Sequence, residues 1–297
     1  MRTKAHTLLL KPGEVAARTL YMVNIFGWLR APELGRFLSP GTDNSRKYAE
    51  RMLRKLTAMR YVLPRKLPGQ HAGTAYVVTA RGAAWLRNHA VDDATTNTYR
   101  EGTNWGRSQN GTWSPPPTWQ HQVYVAGVLS LLYERGYEVI SELELLRMAA
   151  GAKKHADGVA IGRDKDGDEF SIWIEVEQSR KTGKKLDEML EAVVGAARGQ
   201  PVTEYPTLPP VRAAFIAVPT RSFDERGYSI DHKARILSKI KRRGLASRVN
   251  FEIVGMLKEG VGVCLLDFET IDLPAMPPAL APEAARSLSR VSPADLR

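Results

Sequence analysis

The chain has 297 residues, a formal net charge of +11 and a single cysteine, Cys264. The length is that of about two domains, and one cysteine excludes an internal disulfide framework or a cysteine-rich zinc finger. No apolar run reaches the roughly 18 residues of a membrane span, and the apolar run near the start is too short for a signal peptide. We therefore expect a cytoplasmic protein that does not bind membranes.

The basic excess lies entirely in the first third of the chain. Residues 1–91 hold 16 Lys and Arg against 4 Asp and Glu, a net charge of +12, whereas the rest hold 27 against 28, a net charge of −1. Such asymmetry indicates a polyanionic partner, most simply nucleic acid. A basic face that only keeps the protein soluble is the alternative.

The pattern of the first 91 residues predicts three helices, a hairpin and a further helix. Apolar residues recur at helical spacing in residues 14–30, a short helix follows from Pro32 to Leu38, and a third helix spans Asn44 to Met59. The stretch YVLPRKLPGQHAGTAYVVT then predicts strand, turn and strand, before a helix from about Arg81 to Asn88. This order is typical of a winged helix-turn-helix.

The third predicted helix is rich in cations. We expect its apolar stripe to consist of Tyr48, Met52, Leu56 and Met59, with Leu53 beside it, which leaves the cations mainly on the outward surface. The helix would then lie in the major groove of duplex DNA while the hairpin contacts the phosphate backbone. A winged helix that binds protein is the alternative. The DNA-binding residues expected here are Arg46, Lys47, Arg51, Arg54, Lys55, Arg65 and Lys66.

Residues 92–120 are rich in Thr, Asn, Gly, Ser and Pro and are predicted to form a linker. Its tryptophans, Trp105, Trp113 and Trp119, either stack on unpaired bases or hold the linker against a domain surface, and we favour the second interpretation. Residues 273–297 are predicted to form a flexible tail.

Residues 121–272 predict a second domain with the order helix, three strands, helix, strand, helix, strand. The strands include YEVISELEL and the apolar run VRAAFIAVP. This order is typical of an α/β layer fold with a mixed central sheet. The domain contains no phosphate loop of the G-x-x-x-x-G-K-[ST] type and no nucleophile elbow.

Three carboxylates lie on two neighbouring predicted strands in HADGVAIGRDKDGDEFSIWIEVEQSRK. The Asp166-Gly167 pair predicts a two-residue turn, and pairing about it puts Asp157 within about one residue of lying opposite Glu175. Side chains alternate along a strand, so Glu175 and Glu177 share a face. Such close carboxylates repel one another unless a cation lies among them, and oxygen ligands suit Mg²⁺ or Mn²⁺. The alternative is a solvated sheet face.

These motifs give a resemblance to a known superfamily. The stretch His155-Ala156-Asp157-Gly158 and the later Glu175-Val176-Glu177 resemble the motif of PD-(D/E)xK restriction-endonuclease-like proteins, with a glutamate in place of the usual lysine. With a winged helix and a Trp/Pro-containing linker in front, the chain is similar to the replication-relaxation family of mobile elements and to MOBC-type relaxases. The resemblance covers about residues 14–255.

The resemblance implies roles for particular residues. Asp157 and Glu175 would bind the metal together with the carbonyl of Val176, and Glu177 would orient the attacking water or hold a second ion. Lysines around the start of the next helix would neutralise charge on the phosphate, and the alternative for each is an ordinary surface position. Further candidates are Lys181, Lys184 and Lys185 among these lysines, Glu142 or less favourably Glu144 as a fourth acid, and His121 and His155 as auxiliary residues.

We therefore expect a metal-dependent DNA endonuclease or relaxase-like protein that nicks or processes DNA in the replication or transfer of a mobile element. Its partners would be double-stranded DNA and, at a nicked origin, single-stranded DNA, and the sequence leaves a homodimer open. Two alternatives remain: a non-catalytic DNA-binding regulator or accessory factor with an inactive nuclease-like fold, and a nuclease of restriction or repair type.

Overall fold

The protein is a mixed α/β protein in the computed structural model, with eight helices among the residues that the structure describes. It divides into two compact units: the first contains the described chain up to Gln120 together with Tyr133–Gly136, and the second contains His121–Leu132 and the described chain from Tyr137 onward. The described residues are 15–69, 72–89, 99–148, 155–177, 184–197, 208–219, 231–245, 250–259 and 262–266.

No helix within those ranges is both long enough and apolar enough to cross a membrane.

The first unit begins with helices and a small sheet. Its β-strands pair antiparallel in the order β1-β3-β2. The first helix is shorter than predicted, since it ends at Ile25 and Gly27 takes a positive φ of 76° before the chain enters β1. The elements are α1 (Val15–Ile25), β1 (Leu29–Arg30), α2 (Ala31–Leu38), α3 (Ser45–Ala58), β2 (Val62–Lys66), β3 (Thr74–Val78) and α4 (Ala80–His89).

Helix α3 buries only part of the predicted apolar stripe: Leu56 and the neighbouring Leu53 are buried as predicted. Its buried residues are Ala49, Leu53 and Leu56, whereas Tyr48, Met52 and Met59 are only half-buried. Positions 49, 53 and 56 also follow helical spacing, so the sequence pattern fits both faces. Ala49 is small and carries a weak apolar signal, so the pattern favours the bulkier Tyr48, Met52 and Met59.

The start of α3 lies very close to α2. A Cβ atom added at Gly35 of α2 would lie 2.7 Å from the backbone carbon of Ser45 and 2.8 Å from the backbone nitrogen of Arg46. Real Cβ atoms do not approach backbone atoms this closely, so only glycine permits this packing of the two helices. Gly35 thereby fixes where α3 begins relative to α2.

A buried ion pair lies at the junction of β1 and α2. Arg30 is 1% exposed and Glu33 is 0% exposed, and the guanidinium group donates hydrogen bonds through Nε and Nη2 to the Glu33 carboxylate. Arg30 Nη1 also donates to the carbonyl of Ala72, at 3.1 Å. The pair therefore connects β1 and α2 to the chain that leads into β3.

The segment from Tyr99 to Thr118, predicted as part of a linker, packs within the first unit. It contains a hairpin of β4 (Arg107–Gln109) and β5 (Thr112–Ser114). Trp105 stacks on Trp28 with ring centroids 4.8 Å apart, and the Trp113 indole donates to the Trp105 carbonyl at 2.9 Å. Of the two interpretations of the linker tryptophans, packing against a domain surface therefore describes Trp105 and Trp113.

The second unit is built on one mixed sheet of six strands in the order β11-β10-β9-β8-β7-β6. Strand β8 pairs antiparallel with β7 and parallel with β9, and the central strands are buried. The elements are α5 (Trp119–Glu134), β6 (Glu138–Ser141), α6 (Glu142–Met148), β7 (Gly158–Arg163), β8 (Glu169–Val176), α7 (Lys184–Ala197), β9 (Val211–Pro219), α8 (His232–Arg242), β10 (Asn250–Glu259) and β11 (Gly262–Leu266).

One predicted strand of this unit is partly helical. The stretch YEVISELEL was predicted to be a single strand, but β6 ends at Ser141 and α6 begins at Glu142. The Ser141 hydroxyl accepts from the Glu144 N–H at 3.2 Å, and the Glu144 carboxylate accepts from the Ser141 N–H at 3.0 Å. This reciprocal capping box starts the helix and outweighs the alternating strand pattern of the same residues.

The hairpin of β7 and β8 has a longer turn than the predicted two-residue turn. The last paired residues are Arg163 and Glu169, and the Asp164 carboxylate accepts hydrogen bonds from the N–H groups of Asp166 and Asp168. Gly167 takes a positive φ of 84°. The Asp164 side chain thus organises the turn, and the pairing of the two strands follows from it.

Candidate DNA-binding surface and acidic site

Asp157 lies immediately before β7 and opposite Glu175 of β8. Gly158 pairs with Ile174 and Val159 with Trp173, and continuing this register places Asp157 across from Glu175. Directly opposite residues in an antiparallel pair share a face of the sheet. The hairpin therefore brings Asp157 and Glu175 to the same region, as the sequence predicts.

The Asp157 carboxylate is held by two groups of the second unit. The backbone N–H of Val176 donates to Oδ2 at 2.7 Å, and Nε2 of His121, in the first turn of α5, lies 3.2 Å from Oδ1. The Asp157 side chain is 15% exposed and that of His121 is 31% exposed. The structure thus places His121, an auxiliary candidate from the sequence, in contact with the central carboxylate, while His155 is half-buried two residues before Asp157.

The two glutamates at the end of β8 are buried. Glu175 is 2% exposed and Glu177 is 1% exposed. The indole N–H of Trp173, two residues earlier on the same face, donates to Glu175 Oε1 at 2.8 Å. The backbone N–H of Glu177 donates to the carbonyl of Ala217 in β9 at 2.8 Å. Both acids therefore lie inside the unit, so a solvated sheet face does not describe them.

The donor chemistry of these acids suits a hard divalent cation, because carboxylate oxygens are the ligands that Mg²⁺ and Mn²⁺ prefer. Of these acids, Asp157 and Glu175 lie opposite each other, and each accepts a hydrogen bond from an N–H group. Within the part of the chain that the structure describes, no group of three or more His, Cys, Asp or Glu side chains is placed so that it could hold a metal ion. A metal site formed by Asp157, Glu175 and Glu177 therefore stays a prediction.

The fourth-acid candidates lie on α6. Glu144 is committed to the capping box, and burial raises its pKa to about 7, partly offset by its hydrogen bonds from Ser141. Glu142 is half-buried at the first position of α6. The buried Glu144 could have been found from the S-x-x-E spacing of Ser141 and Glu144, which is the sequence signature of a capping box.

The lysines after β8 lie at the start of α7. Lys184 and Lys185 are exposed, and Lys184 Nζ lies 3.6 Å from a carboxylate oxygen of Glu188, one turn later. Lys181 is outside the described residues.

Helix α3 presents an exposed stripe of cations, which we call the α3 stripe: Lys47, Arg51 and Arg54. A helix turns about 100° per residue, so these three residues lie within about 60° of one another, on the side opposite the buried stripe. Arg51 lies over the Tyr48 ring, 5.4 Å from its centroid. Among the described residues, none of the three forms an ion pair. The α3 stripe is therefore a surface of uncompensated positive charge.

The other predicted DNA-binding residues differ in their surroundings. Arg46 is exposed, and its Nε lies 2.9 Å from an oxygen of Glu50. Lys55 is half-buried and Lys66 is exposed. Arg65 points into its own unit, where it donates to the Thr103 carbonyl at 3.2 Å and lies 5.3 Å from the centroid of the Trp113 ring. The hairpin position alone did not predict this inward contact, which depends on the later tryptophan.

A network of ion pairs joins α7 and α8. Asp187 pairs with Lys239 at 2.9 Å and with Arg243 at 3.0 Å, and Arg243 also pairs with Glu191. The hydrogen bond from Lys239 is the main reason that the pKa of Asp187 lies below its usual value. These cations of the second unit are therefore compensated by neighbouring acids.

A comparison of the chain with protein-family models, with curated proteins and with solved structures found no match.

Proposed function

We propose that the chain binds double-stranded DNA through its first unit. The observation that carries this proposal is the α3 stripe, because exposed cations without acidic partners are what a phosphate backbone requires. The order of α1, β1, α2, α3 and the β2–β3 hairpin supports a winged helix-turn-helix, in which α3 would enter the major groove. The net charge of +12 in residues 1–91 supports the same function.

We further propose that the second unit is a restriction-endonuclease-like domain that cleaves phosphodiester bonds. The helix-strand-strand-strand-helix-strand order of α5, β6, β7, β8, α7 and β9 supports this fold, with α6 inserted after β6. Asp157, Glu175 and Glu177 would hold Mg²⁺ or Mn²⁺, and such an ion lowers the pKa of a bound water. The substrate would be an origin of replication or transfer of a mobile element, as in relaxases and the replication-relaxation family.

In this proposal the chain's own residues prepare the site. The Val176 N–H and His121 fix both oxygens of Asp157, so the carboxylate keeps one orientation. The Trp173 indole holds one oxygen of Glu175, Oε1. Burial of both glutamates limits water to the side of the site where Asp157 is partly exposed, and this is the side from which a DNA strand would have to approach.

A second candidate is a non-catalytic DNA-binding regulator or accessory factor. The observation that favours it is the state of the acids: they accept hydrogen bonds from Trp173 and Val176 and do not form a three-ligand group among the described residues. In this case the second unit would serve as a scaffold, and DNA binding by the first unit would be unchanged.

The experiment compares the wild-type chain with Asp157→Asn and Asp166→Asn on a supercoiled plasmid library with random inserts, with Mg²⁺, with Mn²⁺ and with EDTA. We expect metal-dependent nicking by the wild type, a loss of about 10²-fold or more in Asp157→Asn, and duplex affinity within about twofold of wild type in both variants. Asp166, in the exposed turn of the same hairpin, is the matched control and should retain nicking.

The outcomes separate the two candidates. Duplex binding without nicking under any metal condition would establish the accessory protein and reject the nuclease. Equal nicking by wild type and Asp157→Asn would show that the site is elsewhere. Absence of salt-dependent duplex binding would reject the proposal for the first unit.

A further inference from the structure

Helix α3 carries a single acid among its cations. Its sequence, SRKYAERMLRKLTA, contains Glu50 as the only carboxylate. At about 100° per residue, Glu50 lies about 40° from both Arg46 and Arg54 and about 60° from Lys47. The acid is therefore on the edge of the α3 stripe and not on the buried side of the helix.

The surroundings of Glu50 show that its position is defined. Its carboxylate accepts from Arg46 Nε at 2.9 Å while its side chain stays 41% exposed. The charges of Glu50 and Arg54 both act on the phenol of Tyr76 in β3: burial is the main cause that raises the pKa of Tyr76, Glu50 raises it further, and Arg54 lowers it. Glu50 thus lies near both the cations of α3 and Tyr76 of the hairpin.

A carboxylate at this position opposes binding to DNA in general. It repels phosphates, and its pairing occupies Arg46, which would otherwise add to the positive surface. In the major groove, a carboxylate gains only where a base offers an amino group, and the cytosine N4 amino group is the usual partner. A repulsive group that is compensated at one site alone increases specificity at the expense of affinity.

We propose that Glu50 is a specificity-determining residue of the DNA-binding surface, which lowers the affinity for arbitrary duplex and favours sites that present a cytosine amino group to it. This inference rests on the proposed DNA binding by the first unit. It names the one residue of α3 whose charge acts against that binding.

The test uses the full chain and two variants that remove one negative charge each. Glu50→Gln keeps the shape of the side chain, and Glu101→Gln is the matched control, an exposed acid of the first unit outside α3. Binding is titrated on a random-sequence duplex pool at about 0.1 M salt, and the bound sequences are then read. We expect Glu50→Gln to bind the pool about five- to tenfold more tightly and to lose the enrichment of one G·C pair, whereas Glu101→Gln stays within about twofold.

Each result decides the inference. Equal gains for Glu50→Gln and Glu101→Gln would reduce the effect to net charge and overturn it. Wild-type binding that is salt-dependent but unchanged in affinity and sequence preference by Glu50→Gln would overturn it while leaving the proposed DNA binding intact. No duplex binding by any of the three proteins would overturn both. Because the Glu50 side chain is 41% exposed and Glu101 is exposed, we expect wild-type thermal melting for both variants, and this measurement excludes misfolding as the cause.

Discussion

Among the described residues of the first unit, the exposed cations of α3 have no acidic partners apart from the Arg46–Glu50 pair, whereas Arg30 and Glu33 are buried together. In the second unit the cations Lys239 and Arg243 pair with acids of α7 near the surface. Its acids Glu144 and Glu175 are instead buried, with hydrogen bonds from Ser141 and Trp173. Exposed charge without a partner of opposite sign attracts an oppositely charged ligand. Buried carboxylates are candidates for catalytic or metal-binding groups. The two units thus differ in where charge is left uncompensated, and the functions proposed for them follow this difference.

The largest effect should come from breaking the buried ion pair of the first unit. Glu33→Ala leaves Arg30 buried and uncompensated, so we expect a loss of about 3–5 kcal/mol in the free energy of unfolding. The measurement is chemical denaturation followed by tryptophan fluorescence. The control, Glu169→Ala, removes an exposed partner of Arg163 and should change stability little. Equal losses in both variants would show that burial of the pair has no special effect.

A second prediction concerns the buried acid of the second unit. The pKa of Glu144 is raised from its ordinary value to about 7, so between pH 4.5 and 7 the folded state keeps a proton that the unfolded state has lost. The free energy of unfolding contributed by this group is therefore fully present below pH 4.5 and falls by about 3 kcal/mol as the pH rises to 7. Glu144→Gln keeps the capping oxygen and should flatten this decline.

The control for that measurement is Glu142→Gln, which changes a half-buried acid in the same turn of α6. Its pH profile of stability should follow the wild type. A Glu144→Gln profile that declines as steeply as the wild type between pH 4.5 and 7 would show that Glu144 titrates like an ordinary glutamate.

The smallest of the three predicted effects compares the exposed cations of α3 with exposed cations of the second unit. Replacing Lys47, Arg51 and Arg54 together with Ala should weaken duplex binding by about a hundredfold at 0.1 M salt and reduce the slope of log K against log salt by about 3, since each phosphate contact releases counterions. The control replaces three exposed cations of the second unit, Lys165, Lys241 and Arg242. If that control has the same effect, the binding is distributed and not a property of α3.

The sequence predicted the order of elements well where a strong pattern had no competitor. The cations of α3 were predicted to face outward, and the stripe of Lys47, Arg51 and Arg54 does so. Periodicity could not distinguish the buried Ala49 from Tyr48, because a small residue carries a weak apolar signal, and the close approach of α2 to α3 at Gly35 is a contact that the periodicity does not contain. Tertiary packing of this kind cannot be predicted from the local spacing of apolar residues.

The acidic site was predicted through the hairpin that brings Asp157 opposite Glu175, although the turn itself differs. What the sequence could not supply were the donors: the Val176 N–H, the Trp173 indole and His121 come together only in the folded sheet. The inward contact of Arg65 could not be predicted for the same reason. Its neighbour Trp113 lies 48 positions later, and no local rule joins the two.

The tryptophan stack has a consequence for dissecting the protein. A fragment that ended at residue 91, as the predicted boundary suggests, would lose Trp105 and Trp113. One face of the Trp28 ring would then be exposed to solvent. The same cut would also remove the carbonyls of Tyr99 and Arg100 that accept from Arg87 and Asn24. A fragment that extends through Ser114 keeps these contacts but loses Tyr133–Gly136, which also belong to the first unit. The Tyr133 ring lies 5.1 Å from the ring of Phe37 in α2, so a cut before α5 still removes part of the first unit's packing.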